Sequence, residues 1–199
     1  NLAVGQTKPN FGATVLDPIC GTGVMLQEAH LAGFDYRGSD LDPRMVEYSR
    51  ENLNWLARQA SSPKRVDDAS FFDKVIYQAD ATSFEWQPAP NFIAAETYLG
   101  RPFDREPDTE TLQKVMKDTA YIHQKFLANV AQQTLPGFRM TIAVPAWHAR
   151  TGVKHLKTLD SLEELGYTRM SFVHARDKDL IYHREGQVVG RELVTLIRN

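Results

Sequence analysis

One stretch limits the fold of this chain more than any other: Asp17-Pro18-Ile19-Cys20-Gly21-Thr22-Gly23. It sits between the apolar run Thr14-Val15-Leu16 and an amphipathic run from Val24 to Ala32, which Gly33 closes. A strand that becomes a helix within a few residues needs positions free of a Cβ, where the backbone can turn sharply and let a ligand come close. The helix that follows presents unpaired N–H groups at its first turn, a favourable setting for an anionic group. Two glycines alone fit an ordinary tight turn equally well, so the reading depends on what the rest of the chain adds.

The rest alternates short β-like runs with amphipathic helical runs, the pattern of an α/β sheet. A second strand is predicted from about Tyr36 to Ser39, ending at Asp40. A helix follows from Pro43 to about Gln59, with Asp42 as its cap and Pro43 in its first turn. Ser61 to Asp73 reads as a polar loop, Lys74 to Gln78 as the third strand running into Ala79-Asp80-Ala81, and Phe92 to Ala95 as the fourth, ending at Glu96. Asp108 caps a long helix to about Gln133 whose apolar residues recur every three or four positions, and Pro136-Gly137 ends it. Phe138 to Val144 is the fifth strand. Leu156, Leu159, Leu162 and Leu165 mark a further helix closed by Gly166, and two closing strands span Tyr167 to His174 and Arg191 to Ile197, with Leu180 to His183 as an extension. In an open parallel sheet, ligands bind beyond the carboxyl ends of the strands. Those ends here are Asp17, Asp40, Asp80 and Glu96, all acidic. Asp40 is placed to accept ribose hydroxyls, Asp80 to accept an adenine amino group, and Leu41 to pack on the adenine face. A dinucleotide fingerprint would want a third glycine three residues after Gly23. Leu26 stands there, which favours S-adenosylmethionine over a nicotinamide cofactor.

Composition narrows the class further. With 199 residues, 42% of them hydrophobic, the chain suffices for one domain with a full core. No apolar run reaches the roughly 20 residues of a membrane helix. A single cysteine, Cys20, and six histidines leave no disulfide framework and no pattern for a structural metal, and fit a cytoplasmic protein. The net charge of −2 lacks the basic excess usual for a surface that grips nucleic acid. Either the substrate is not nucleic acid, or much of the electrostatic grip is expected from another domain outside this chain, which begins at Asn1 and reads as the catalytic segment of a longer protein.

The glycine stretch closely resembles the Asp-Pro-Phe-Cys-Gly-Thr-Gly loop of class I RNA methyltransferases, above all the tRNA guanosine-N2 methyltransferases that carry a THUMP domain. Gly38-Ser39-Asp40-Leu41-Asp42, Gln78-Ala79-Asp80-Ala81 and Val189-Gly190-Arg191-Glu192-Leu193 are similar to their later motifs, and Asn1-Leu2-Ala3 to the tail of the helix before the loop. The resemblance implies a Rossmann-like, seven-stranded, mostly parallel sheet with an antiparallel last strand and helices on both faces, over 1–199. It implies S-adenosylmethionine held by Asp17, Pro18, Cys20, Gly21, Thr22, Gly23, Asp40, Leu41, Asp80 and Ala81, no metal, an RNA acceptor such as tRNA, and an RNA-binding region elsewhere.

The acceptor motif departs from the family's pattern. After the fourth strand such enzymes carry Asp or Asn, two prolines and an aromatic residue; here the segment is Glu96-Thr97-Tyr98-Leu99-Gly100. Glu96 is expected to accept the target amine and Tyr98 to stack on the base. The altered loop leaves three readings: an exocyclic amine acceptor on RNA, a different nucleophile such as a DNA or protein amine, or a cofactor-binding scaffold with little activity. Cys20 is read as a small buried residue rather than a nucleophile, and Trp147 and His148 as loop anchors that also suit base stacking. Lys64, Arg101, Arg105 and Arg191 are read as solvated charges within reach of phosphate, and His123 as structural.

Overall fold

The computed structural model describes residues 2–5, 13–59, 66, 68, 70–103, 105–150 and 152–199. Four strands, β1 (Thr14–Asp17), β2 (Asp35–Asp40), β3 (Ile76–Gln78) and β4 (Phe92–Glu96), lie parallel with β5 (Arg139–Ala149) in the order β3-β2-β1-β4-β5. The sheet continues through β9 (Val189–Arg198), antiparallel to β5, and then β7 (Tyr167–Arg169), antiparallel to β9. Two short strands, β6 (Gly152–Lys154) and β8 (Ile181–Tyr182), extend the edge beyond β5 and β9. The seven-strand path and its antiparallel last strand follow the sequence reading, β8 falls within the expected extension Leu180 to His183, and β6 is an addition to it.

Side chains alternate across this sheet, and each face carries its own core. Val15 packs on one side with Leu26, Val46, Leu53 and Phe72, beneath helices α1 (Val24–Leu31), α2 (Pro43–Ala57) and α3 (Ser70–Val75). Its neighbour Leu16 packs on the other with Ile93, Ile142, Phe126 and Leu127, beneath α4 (Thr109–Gln133). The caps are the expected ones: Asp42 accepts from the Arg44 amide at 2.9 Å and Asp108 from the Thr111 amide at 2.8 Å.

Several boundaries differ from the sequence reading. The supposed polar loop ends in a helix, since Ser70–Val75 forms α3 and takes Lys74 and Val75 out of the third strand. Phe71 and Phe72 anchor that helix by packing edge-to-face, with Phe72 buried. Leu156, Leu159, Leu162 and Leu165 repeat at intervals of three, and the chain there winds as a 3₁₀ segment, Lys157–Ser161, followed by turns. Three residues per turn is the 3₁₀ period. Strand β5 runs five residues past Val144, because Pro145 to Ala149 pair with β9 and β6. Residues 2–5 form a turn, with Ala3 and Val4 buried, rather than a helix tail; Asn1 and Lys64 lie outside the described residues. No described helix is long and apolar enough to cross a membrane.

Candidate active site

The parallel strands point their carboxyl ends to one edge of the sheet, and register places the acidic tips along it. Asp17 is level with Gly38 of β2, Asp40 with Gln78 of β3, and Glu96 with Ala143 of β5. Asp17 is 2% exposed and accepts a hydrogen bond from the Ile19 amide at 3.2 Å. Burial, and secondarily the charges of Asp40 and Glu96, push its carboxyl up to about 8, while the Ile19 amide pulls the other way. A buried carboxyl facing two others is a place where a cation is favoured.

The glycine loop is held from behind, by side chains the sequence reading did not single out. Ser49 and Asn52, one turn apart on α2, donate to the carbonyls of Gly21 at 2.8 Å and Thr22 at 2.9 Å. The Gly21 amide donates to Asp40 Oδ2 at 2.9 Å, and Asp40 Oδ1 accepts from the Asp42 amide at 2.9 Å. Asp40 is thus the clamp between the glycine loop and the start of α2, as well as the candidate for ribose. Gly23 has φ 84° and caps α1 without a side-chain hydrogen bond, so its cap leaves the first amides of that helix uncovered among the described residues. A Cβ on Gly23 would lie 3.2 Å from the Ser49 Cα. A Cβ on Gly38 would lie 2.4 Å from Leu26 Cδ1, which is why a glycine stands where α1 crosses β2. Ser39 Oγ donates to the Pro18 carbonyl at 3.2 Å and fixes the loop's first turn.

The remaining predicted cofactor residues divide by exposure. Leu41 is 67% exposed beside Asp40, with its carbonyl held by Gln78 Nε2 at 3.0 Å. Asp80 is exposed and uses Oδ1 to accept from the Thr82 amide and hydroxyl at 2.8 and 2.7 Å, leaving Oδ2 toward solvent. Ala81 is buried, its carbonyl bound by Asn129 of α4 at 3.0 Å, so only its backbone can face a ligand. The Cys20 side chain is buried 3.5 Å from Ser49 Oγ, and burial pushes its thiol up to about 12. That thiol is a packing group, not a nucleophile.

At the acceptor end the side chains alternate. Glu96 makes a bidentate ion pair with Arg191 of β9, at 2.5 Å from Nε and 3.1 Å from Nη2. Arg191, expected as a solvated charge at the start of the last strand, lies two residues into β9 and orients the one carboxylate of the acceptor motif. Thr97 turns the opposite way and is buried. Its hydroxyl lies 2.8 Å from the Ala143 carbonyl and 2.7 Å from His123 Nε2, and His123 Nδ1 lies 2.8 Å from the Thr119 carbonyl. Only a donor can face that last carbonyl, so Nδ1 carries the proton and Nε2 accepts. Burial holds the imidazole down at about 4, neutral at pH 7. This buried clasp ties the proline-free 97–101 loop to α4. Tyr98, 43% exposed, lines a hollow along α4 with Arg101, Lys114 and Asp118, away from the Glu96–Arg191 pair. Trp147, expected in a loop, is fully buried within β5 and belongs to the core; His148 stacks on His183 at 3.5 Å between ring centroids. Arg105 is exposed in the loop before α4. Among the described residues no group of His, Cys, Asp and Glu is arranged to hold a metal ion.

Comparison with known proteins places this edge in a familiar architecture. A TrmN from Thermus thermophilus superposes with a TM-score of 0.56 at 20% identity, over 94% of this chain and 44% of that one. The magnesium protoporphyrin IX methyltransferase ChlM of Synechocystis PCC 6803, solved with bound S-adenosylmethionine, superposes with a TM-score of 0.57 at 13% identity, over 97% and 72%. The glycopeptide N-methyltransferase MtfA gives 0.54 at 11%, over 94% and 81%. The fold is therefore the Rossmann-like fold of class I methyltransferases. In sequence, 42 residues are 57% identical to the tRNA (guanine(10)-N2)-dimethyltransferase of Methanothermobacter thermautotrophicus, covering 21% of this chain and 12% of that protein. The chain thus spans less than half of the TrmN it matches, and its likeness to the Methanothermobacter enzyme is confined to a short segment. No family model matches it.

Proposed function

We propose that this chain binds S-adenosylmethionine at the glycine loop and transfers its methyl group to an exocyclic amine of an RNA base, guanine N2 of tRNA. The observation that carries the reading is the row of acidic strand tips beside an uncapped helix start. The residues suit the cofactor part by part. The first amides of α1, which no side chain caps, match a carboxylate. Buried Asp17, held protonated at neutral pH by desolvation, would ionise beside the ammonium and sulfonium charges, which bring its carboxyl down again. Asp40 matches the ribose hydroxyls, since each carboxylate oxygen retains a lone pair beyond its bond to backbone. Asp80 Oδ2 and the exposed Leu41 match the adenine edge and face. Pro18, Cys20, Thr22 and Ala81 contribute backbone. Bound there, the cofactor would supply an electrophilic methyl on sulfur.

The protein's part is then orientation. Glu96, fixed by Arg191, accepts an N–H from the target amine and turns the nitrogen lone pair toward the methyl, a proximity effect. With the methyl passing from sulfur to nitrogen, Glu96 would hold the amine's surplus proton and release it to water. The matched segment of the tRNA guanine-N2 dimethyltransferase supports guanine N2 as the acceptor, as does the amine-accepting carboxylate itself. Most of the RNA grip is assigned to a region beyond this chain, which itself adds contacts around the acceptor, and the compartment to the cytoplasm. The test is mass spectrometry of nucleosides from tRNA incubated with the protein and methyl-labelled S-adenosylmethionine. Labelled N2-methylguanosine that disappears with Glu96→Ala is the expected result, and absence of any labelled nucleoside overturns the reading.

The Glu96–Arg191 pair favours one alternative, because both carboxylate oxygens already have a partner. A cofactor-binding scaffold would bind S-adenosylmethionine, methylate nothing, and be indifferent to Glu96→Ala.

A further inference from the structure

The 97–101 loop has a second side. Behind Thr97 and Tyr98, against the first half of α4, lies a hollow of about 390 Å³ lined by Tyr98, Arg101, Lys114, Val115, Asp118 and Ile122. That volume is within the range of small-ligand sites. Its shape depends on a glycine: Gly100 has φ 84°, and a Cβ there would lie 3.1 Å from Val115 Cγ1 and 3.2 Å from Thr119 Oγ1. Close approach of the loop to α4 closes one end of the hollow over Thr119. The Thr119 hydroxyl is buried, lines the hollow and has no hydrogen-bond partner among the described residues, a polar group of the kind that a bound molecule ordinarily satisfies.

The chemistry of the lining is specific. Val115 and Ile122 give an apolar floor, and Tyr98 a half-exposed ring. Arg101 holds its guanidinium 5.0 Å above the Phe103 ring, which leaves its N–H edge free for an anion. Neither Arg101 nor Lys114 has an ion-pair partner among the described residues. The hollow opens into a groove that shares Arg101 and Thr111 and adds Arg105. The carboxylates there are engaged: Glu106 with Arg150 at 3.2 Å, and Asp108 with the Thr111 amide and hydroxyl at 2.8 and 2.7 Å. Among the described residues Asp118 is the one acid lining the hollow, and it suits an amino group on a base edge.

We infer that this hollow is a nucleotide subsite: it receives a nucleotide of the acceptor RNA other than the one presented to Glu96. The base lies between Tyr98 and the Val115–Ile122 floor, and its phosphate lies on Arg101 and Lys114. The inference rests on the reading of the acceptor as RNA. It divides the loop's work, with Glu96 on one face serving the reacting base and Tyr98 on the other serving its neighbour.

The test is fluorescence anisotropy with a fluorescein-labelled, single-stranded 12-nucleotide RNA of mixed sequence, run beside calorimetric titration of S-adenosylmethionine. Lys114→Glu and Arg101→Glu are each expected to weaken RNA binding about tenfold and to lower the salt slope by about one phosphate contact. Val115→Trp fills the hollow without changing charge and is expected to weaken RNA binding at least fivefold. Should that variant fail to fold, the two exposed charge variants still decide the matter. Cofactor affinity is expected to be unchanged in all three. RNA affinity equal to wild type in the charge variants overturns the subsite, as does a wild-type chain that does not bind the RNA. Loss of cofactor binding by the wild type instead refutes the methyltransferase reading and leaves the RNA result to stand by itself.

Discussion

Asp17→Asn should change how stability depends on pH, and the size of the change follows from where Asp17 sits. Its carboxyl is 2% exposed, has one backbone donor, and faces Asp40 and Glu96, so burial and like charge raise it from 3.8 to about 8. A group whose folded value lies above its unfolded value contributes stability that is complete below pH 3.8. That contribution is lost as pH rises toward 8, at about 1.4 kcal/mol per pH unit. His123 has the opposite sign. Burial lowers it from 6.5 to about 4, so it costs stability as pH falls from 6.5 toward 4. Below pH 6.5 the two slopes oppose each other; between pH 6.5 and 8 that of Asp17 stands alone and should remove about 2 kcal/mol. Asparagine keeps an oxygen for the Ile19 amide and cannot ionise. Urea denaturation at pH 6.5 and pH 8.0 should therefore show the wild type losing about 2 kcal/mol relative to Asp17→Asn. Parallel stabilities of the two proteins across that interval would refute the argument that a buried, crowded carboxyl occupies this strand tip.

Other substitutions probe the supports of the site. Thr97→Val leaves His123 Nε2 as a buried acceptor without a donor and should cost about 1–3 kcal/mol by urea denaturation; a change under about 0.5 kcal/mol would mean that the clasp bears no load. Gly38→Ala puts a methyl into Leu26 Cδ1 at 2.4 Å and should cost about 1–3 kcal/mol, read as a lowered melting temperature. Arg191→Ala should leave S-adenosylmethionine affinity intact by calorimetry while cutting methyl transfer at least tenfold, because Glu96 loses the fork that orients it; an unchanged rate removes the pair from the acceptor site.

The parts of the fold that local chemistry dictates were readable from the sequence. Asp42 and Asp108 cap helices because a short carboxylate before a helical run has an unpaired amide to satisfy. Asp17 and Glu96 were readable as strand ends because apolar runs stop there, and Asp40 because a capped, proline-started helix follows two residues on; that Asp17 and Asp40 are buried was not readable. What escaped was settled by partners distant in sequence. Arg191 lies 95 residues from Glu96, and only the antiparallel register of β9 on β5 makes them meet. Trp147 was placed in a loop because the fifth strand was ended at Val144, yet pairing with β9 carries the strand through Pro145. Ser49 did leave a signal: it is a polar residue on the apolar stripe Val46, Leu53, Ala57, where a hydroxyl is kept only if it has work to do. The Thr97–His123 clasp left none, since neither residue type specifies a partner 26 positions away.

The central claim is that the strand tips around the glycine loop form a cofactor site, and calorimetric titration of S-adenosylmethionine into the wild type and Asp40→Ala tests it most directly. Binding of one cofactor per chain is predicted, weakened by about 1–3 kcal/mol in the variant, the scale of a lost charge-assisted hydrogen bond. No binding to the wild type, or equal affinity for both proteins, would contradict it.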